Sequence, residues 1–259
     1  MAEEKELIEK NIQLFNATHT KSKTVKKSPK NKELTPFYNP SGMEVGIDEA
    51  GRGPLFGRVY AAAVILPKTD FDYKMVKDSK RFTSDKKLRA VYEYIKSRSM
   101  YAVVYAEHTE VDSKNILKTT LELFHRALDL LIEKYPEETK EVVTLIIDGN
   151  QFIPYTHPVR EKVIAYHCIE GGDNTYCSIA AASILAKVER DMYIEDLCEK
   201  HPYLEEKYGL LSHKGYGTKR HMEGLKKYGV SEWHRKTFGI CKSLPKLEVY
   251  EGQNVIVEE

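Results

Sequence analysis

The sequence predicts a mixed α/β fold, a five-stranded sheet flanked by helices. Three observations predict it. Five apolar runs of strand length fall between residues 43 and 170. Two tight early connections favour antiparallel pairing, and later crossovers favour parallel pairing. Three further segments repeat apolar residues at the helical spacing.

In order, MEVGIDE from Met43 is a short strand, joined by the glycine-rich GRGPLFG to a second, Arg58–Leu66. Ser84–Ser99 is a helix with an N-cap serine and apolar residues at 88, 91, 92 and 95. Met100–Glu107 is the third strand, and Asn115–Tyr135 is a strongly amphipathic helix. Glu141–Asp148 is a buried strand stopped by Gly149, and Lys162–Glu170 is another stopped by Gly171 and Gly172. Thr175–Lys200 is a helix whose Ala- and Ser-rich face suits close packing on the sheet. Three domains follow: a lysine-rich extension over 1–42, flexible or partly helical; the sheet-bearing α/β domain over 43–205; and a basic helical segment and tail over 206–259.

The composition, 41% hydrophobic and 31% charged, is that of a soluble globular chain. Its longest apolar run, Val59–Leu66, falls far short of the ~20 residues a membrane helix needs. The acidic, polar start carries no secretory signal, and the four cysteines form no CxxC pair. Reduced thiols in the cytoplasm are the expectation. Net charge is only +1, but Ser212–Lys246 sets nine Lys and Arg, Arg235 included, against two acids. That segment is read as a phosphate-binding face beside an acidic site. The six lysines of Lys21–Lys32 are read as solvated surface.

The acids are more specific. Asp48 and Glu49, Asp148, and Asp173 each follow an apolar run with glycine close by, and Asp148 and Asp173 abut Gly or Asn. Asp173, just ahead of a helix, is also an N-cap candidate. Consecutive residues of an ideal strand face opposite ways, so Glu49 is expected where the pleat breaks or from the loop side. Clustered carboxylates need a cation, and hard oxygen ligands select Mg²⁺ or Mn²⁺. Two such ions would activate water and stabilise the leaving oxygen in phosphodiester cleavage. Zinc would want His or Cys at ligand spacing, which His167/Cys168 and His213/His221 do not supply. Asp191 lies ~27 Å beyond Asp173 along a continuous helix, so it is a surface or structural acid.

Five motifs in order then resemble type 2 ribonuclease H, specifically ribonuclease HII: GIDEAGRGPLFG, DSK (Asp78–Lys80), IIDGN (Ile146–Asn150), Gly171–Asp191 and SHKGYGT (Ser212–Thr218). The resemblance implies a ribonuclease H-like fold with a small C-terminal helical segment. It also implies metal-dependent endonucleolytic cleavage of the RNA strand of RNA–DNA hybrids. Duplex DNA would be cut 5′ of a single embedded ribonucleotide, leaving 3′-hydroxyl and 5′-phosphate ends. By position it makes Asp48, Glu49, Asp148 and Asp173 the catalytic, metal-holding acids, with two Mg²⁺ or Mn²⁺ ions when substrate is bound. It makes Gly51, Arg52 and Gly53 the turn whose backbone reads the ribose 2′-hydroxyl, and Tyr216 the ring packing on the deoxyribose at the RNA–DNA junction. Lys80, Asn150, Lys187 and Lys214 complete the substrate-binding set. The chain is expected to act as a monomer, with no membrane partner. Gln253 and Ile256 have the spacing of a sliding-clamp peptide but lack its aromatic pair, so no clamp docking is expected. The tail from Leu247 is read as an extra strand or as disordered.

Overall fold

The computed structural model describes residues 33–247. Five strands form one sheet: β1 (Met43–Ala50), β2 (Val59–Ile65), β3 (Met100–Ala106), β4 (Val142–Asp148) and, after the two-residue strands β5 (Thr156–His157) and β6 (Lys162–Val163), β7 (Ala165–Ile169). Their order is β3-β2-β1-β4-β7, with β5 and β6 paired apart from it. β1 runs antiparallel to β2 and β2 to β3, whereas β4 lies parallel to β1 and β7 parallel to β4. The mixed sheet is thus as the sequence predicts. Only the first early connection is tight, however. β2 reaches β3 through two short 3₁₀ turns and α1 (Asp85–Arg98). It still pairs antiparallel because the chain returns along the same edge. The expected strand over 162–170 is interrupted at Ile164, which is buried and donates its amide to Tyr155 instead of joining the ladder.

Alternation along the strands feeds two cores. Ile47, Ala61 and Ala63 face α3 (Ile116–Lys134) through Leu123, Phe124, Leu128 and Leu131. Ala62 and Val64 face α1 and α4 (Cys177–Lys200) through Leu88, Val91, Ala181, Ala182 and Leu185. A seven-residue helix that the sequence pattern does not reveal, α2 (His108–Lys114), precedes α3, and Asn115 caps the latter by accepting from the Lys118 amide. Close approach of α4 to β1 has a local cause. A Cβ on Gly46 would meet the backbone of Ser178 at 2.2 Å. Because β1 carries Asp48 two residues on, this approach also fixes where α4 starts relative to that acid.

Packing contacts cross both expected domain boundaries. Leu34 and Phe37 pack against the α1–α4 core, and Thr35 bridges to the entry of α4 by exchanging hydrogen bonds with Thr175 and Cys177. The fold's packing therefore begins ahead of Met43. At the other end, α5 (Tyr203–Tyr208) spans the expected break at 205, and Leu204 and Tyr208 share a third core with Phe56, Ile194 and Leu225. That core joins α6 (Leu210–His213) and α7 (Lys219–Tyr228) to the end of α4 and to the loop after β1.

Candidate active site

The C-terminal ends of the two central parallel strands define the site, where an open α/β sheet exposes side chains to a ligand. Ile47 pairs with Ile147, the last pair of the β1–β4 ladder, so Asp48, two residues before the end of β1, comes beside Asp148, the last residue of β4. β7 adds the third element. After it the chain turns through Gly171 in the left-handed region, and the Gly172 amide donates to Asp148 Oδ1 at 2.7 Å. A Cβ on Gly172 would stand 3.4 Å from that oxygen and only 2.5 Å from Ile179 Cδ1. The same turn carries Asp173, 4% exposed, beside Asp148. Asp173 is not the N-cap of α4. That place falls to Tyr176, without a side-chain cap, because a 3₁₀ turn over Gly172–Asn174 intervenes.

Glu49 corrects a second expectation. The β1–β2 ladder runs unbroken through Glu49↔Ala61 and Ala50↔Tyr60, so the pleat does not break. Asp48 faces the α4 side, where the Ser183 hydroxyl bonds it, and Glu49 lies on the other face. Both nonetheless feel the Asp148 charge. Two acids on opposite faces can share one site because the strand end, not its flank, is the mouth.

Electrostatics mark the four acids as one group. Burial, then the charges of Glu49 and Asp148, pushes the Asp48 carboxyl well above its ordinary range. Burial and Asp148 also raise Glu49, against the lowering pull of Arg52. Burial and Asp173 raise Asp148, against the Gly172 and Asp173 amides and Lys80. Each acid leans on whatever positive charge is near. Arg52 Nη1 lies 3.2 Å from Glu49 Oε1, and Lys80 Nζ lies 3.2 Å from Asp173 Oδ2. Lys80 is placed by Asp78, which accepts its amide at the start of a 3₁₀ turn. Among the described residues no three His, Cys, Asp or Glu already stand at metal-ligand geometry. The carboxylates are instead held by amides and by these two cations. The donor set still fits a divalent ion of the Mg²⁺ or Mn²⁺ kind: every donor is a hard carboxylate oxygen, two of the acids are almost wholly buried, and their mutual repulsion calls for positive charge.

Around the acids, the turn Gly51–Arg52–Gly53 follows β1, and Tyr216, 51% exposed, lies beside it. A Cβ on Gly53 would be 3.4 Å from Tyr216 Cε1. The Leu55 amide donates to the Gly215 carbonyl at 2.9 Å, tying the two loops together. Asn150 is exposed just past Asp148. Lys187 and Lys214 are engaged elsewhere, Lys187 with buried Asp191 at 2.6 Å and Lys214 with Glu195 at 2.9 Å. Asp191 is therefore a structural acid, one turn of helix from its lysine.

The basic segment is only partly a surface. Arg235, counted among its cations, is completely buried, as are His221 and His234. Arg190 on α4 is buried too, and sequence reasoning does not single it out. Its signal is the spacing of Ser183, Lys187, Arg190 and Ile194, one face of the helix turned toward the β1 end.

The ribonuclease HII family model matches residues 45–241. This chain belongs to the ribonuclease HII family. Ribonuclease HII of Phocaeicola vulgatus is 39% identical over 217 residues, covering 83% of this chain and 98% of that protein. The Neisseria meningitidis serogroup B ribonuclease HII is 42% identical over 203 residues, 78% of this chain and 95% of the other. Among solved structures, the PCNA:RNase HII complex from Archaeoglobus fulgidus matches with a TM-score of 0.59 at 27% identity, over 76% of this chain and 95% of that one. Bst-RNase HIII in complex with Mn²⁺ matches with a TM-score of 0.54 at 20% identity, over 72% of this chain and 70% of that one, and bears on the fold alone. As a ribonuclease HII family nuclease, the chain is a metal-dependent ribonuclease H, an endonuclease acting on RNA–DNA hybrids. Among the described residues no helix is long and apolar enough to cross a membrane. Gln253 and Ile256 lie outside those residues.

Proposed function

We propose that Asp48, Glu49, Asp148 and Asp173 hold two Mg²⁺ or Mn²⁺ ions and that the chain, as a monomer, cuts duplex DNA 5′ of a single embedded ribonucleotide as well as longer RNA–DNA hybrids. The observation that carries this reading is that the β1–β4 ladder leads directly into Asp48 and Asp148, with the Gly172–Asp173 turn closed onto Asp148. The ions would supply Lewis acidity, activating water and stabilising the leaving oxygen so that 3′-hydroxyl and 5′-phosphate ends result.

The chain's own groups do the rest. Lys80 and Arg52 neutralise Asp173 and Glu49 while the site is free of substrate. Both side chains are exposed enough to swing to a phosphate when cations take over the acids. Buried Asp48 is kept in place by the Ser183 hydroxyl and by the Glu49 amide at 2.7 Å, so it need not reorganise during reaction. The Gly51–Gly53 turn carries no side chain at either glycine and can bring main chain against the ribose, whose 2′-hydroxyl separates RNA from DNA. The half-exposed Tyr216 ring offers a face for the neighbouring deoxyribose, and Asn150 stands at the rim. Lys187 and Lys214 would reach phosphate only by exchanging their present acids.

The test is a duplex carrying one ribonucleotide, incubated with Mg²⁺, Mn²⁺ or chelator beside an all-DNA control. The expected result is a single metal-dependent cut 5′ of the ribonucleotide and none in the control. Cleavage of the all-DNA duplex, or cleavage in chelator, would overturn the reading.

A further inference from the structure

Arg235 and Arg190 are buried charges with no carboxylate at ion-pair distance among the described residues, an arrangement that is costly unless every donor is used. Here the donors go to backbone. Arg235 Nε bonds the Gly57 carbonyl at 2.9 Å, its Nη1 those of Arg52 and Pro54, and its Nη2 those of Gly51 and Arg58. Arg190 takes the carbonyls of Arg58, Phe56 and, across the gap to the Tyr216 loop, Lys214. The Leu55 carbonyl accepts the amide of Arg235 itself. Six of the eight carbonyls from Gly51 to Arg58 are thus gathered inward around two positive charges, and a seventh is held by the Arg235 main chain. Gly51 makes this possible, since a Cβ there would meet Arg190 Nε at 2.3 Å.

A trans peptide plane points its C=O and the following N–H in opposite directions. With the Gly51 and Arg52 carbonyls drawn in by Arg235, the amides of Arg52 and Gly53 point away from it. The Pro54 plane turns out the Leu55 amide, which is the one that grips Gly215. We propose that Arg235, seconded by Arg190, is a positioning residue for ribose selectivity: it aims the Arg52 and Gly53 amides at the 2′-oxygen and locks their turn to the Tyr216 loop. This rests on the reading above that the turn meets the ribose. Burial and the neighbouring Arg190 pull the Arg235 guanidinium down to about 9, which still leaves it charged at neutral pH.

Arg235→Lys keeps the charge but replaces a rigid fork by a point donor that cannot span five carbonyls. Single-turnover rates would be compared on a duplex with one ribonucleotide and on the same duplex with a 2′-fluoro sugar in its place. Assays run at a temperature where circular dichroism shows the variant folded. The 2′-hydroxyl over 2′-fluoro rate ratio is expected to fall roughly tenfold relative to wild type, the worth of a well-placed hydrogen bond. Loss of folded enzyme scales both rates together, so an unchanged ratio would overturn the proposal. If Arg235→Lys does not fold, Arg190→Lys, which leaves Arg235's bonds intact, carries the same comparison. Failure of both to fold would assign the pair to stability alone and overturn the proposal. A wild type that cleaves both sugars alike would instead overturn the reading of the turn itself.

Discussion

The Tyr216 ring sits half in solvent beside Gly53, held by its main chain: its amide donates to the His213 carbonyl and its own carbonyl accepts from His221 Nδ1 at 2.9 Å. A ring so placed costs little to expose and is ready to stack. Tyr216→Ala is expected to slow cleavage at an RNA–DNA junction about 10- to 100-fold while affecting cuts within a long RNA tract less. Tyr216→Phe should retain most of the activity, since the ring face does the stacking. Equal losses on both substrates would make Tyr216 a packing residue. Asp173 invites a graded comparison. Its carboxylate meets Lys80 and the Asn174 side-chain amide, so Asp173→Asn should keep the turn and lose charge only. Residual cleavage in Mn²⁺ above that of Asp148→Asn is the expected outcome in a side-by-side rate assay. Both acids are legible in the sequence because each ends an apolar run. Arg235 is not: composition counts it as one more surface cation, and only the tertiary structure reveals that the distant Gly51–Arg58 carbonyls claim its guanidinium donors.

At the scale of elements, α7 presents Lys219, Lys226 and Lys227 on one exposed face, spaced seven and eight residues apart, with Thr218 capping it through the His221 amide. Arg220 is a poorer candidate for phosphate, since it bonds the Glu205 carbonyl and its stem fills the space over Gly209. Replacing the three lysines by serine should reduce the slope of log K against log salt by about 0.9 for each phosphate no longer neutralised, on hybrid and plain DNA alike. An unchanged slope would make the face ordinary solvated surface. Strand and helix positions are readable to within a residue or two wherever periodicity runs long enough. It fails where tertiary packing replaces periodicity. Seven-residue α2 is too short to show a repeat, and the stretch from Leu34 to Phe37 is fixed by Thr35's two backbone bonds and not by any pattern of its own. Glu49 misleads for a different reason, because the expectation of a broken pleat assumes that a site opens on one face of a sheet.

At the scale of the whole molecule, the third core is built around buried imidazoles. His221 and His234 meet through their Nε2 atoms at 3.0 Å, and Ser231 bonds His234 Nδ1. Burial lowers both, His221 to about 4 and His234 well below the ordinary histidine range, the nearby His213 and His221 respectively adding to the effect. An unfolded histidine takes its proton near 6.5, so between there and about 4 the unfolded chain binds protons that the native chain refuses. Stability should therefore fall as pH drops through this window, by about 3 kcal/mol for a group shifted this far. His221→Gln should flatten the dependence in urea melts between these limits, and an equally steep fall in the variant would clear His221 of it. Because the same core carries the Tyr216 loop and seats Phe56 behind the Gly51–Gly53 turn, acid would loosen the ribose-reading side before the sheet that holds the acids. Everything proposed for the chemistry depends on the ends of β1 and β4 being the catalytic centre. Single-turnover cleavage of a one-ribonucleotide duplex by Asp48→Asn, with the dissociation constant measured on the same preparation, tests that most directly. The predicted result is a rate below about a tenth of wild type, a loss of more than ~1.4 kcal/mol in transition-state stabilisation, with binding largely intact. A rate above that tenth, in a variant that binds normally, would contradict it.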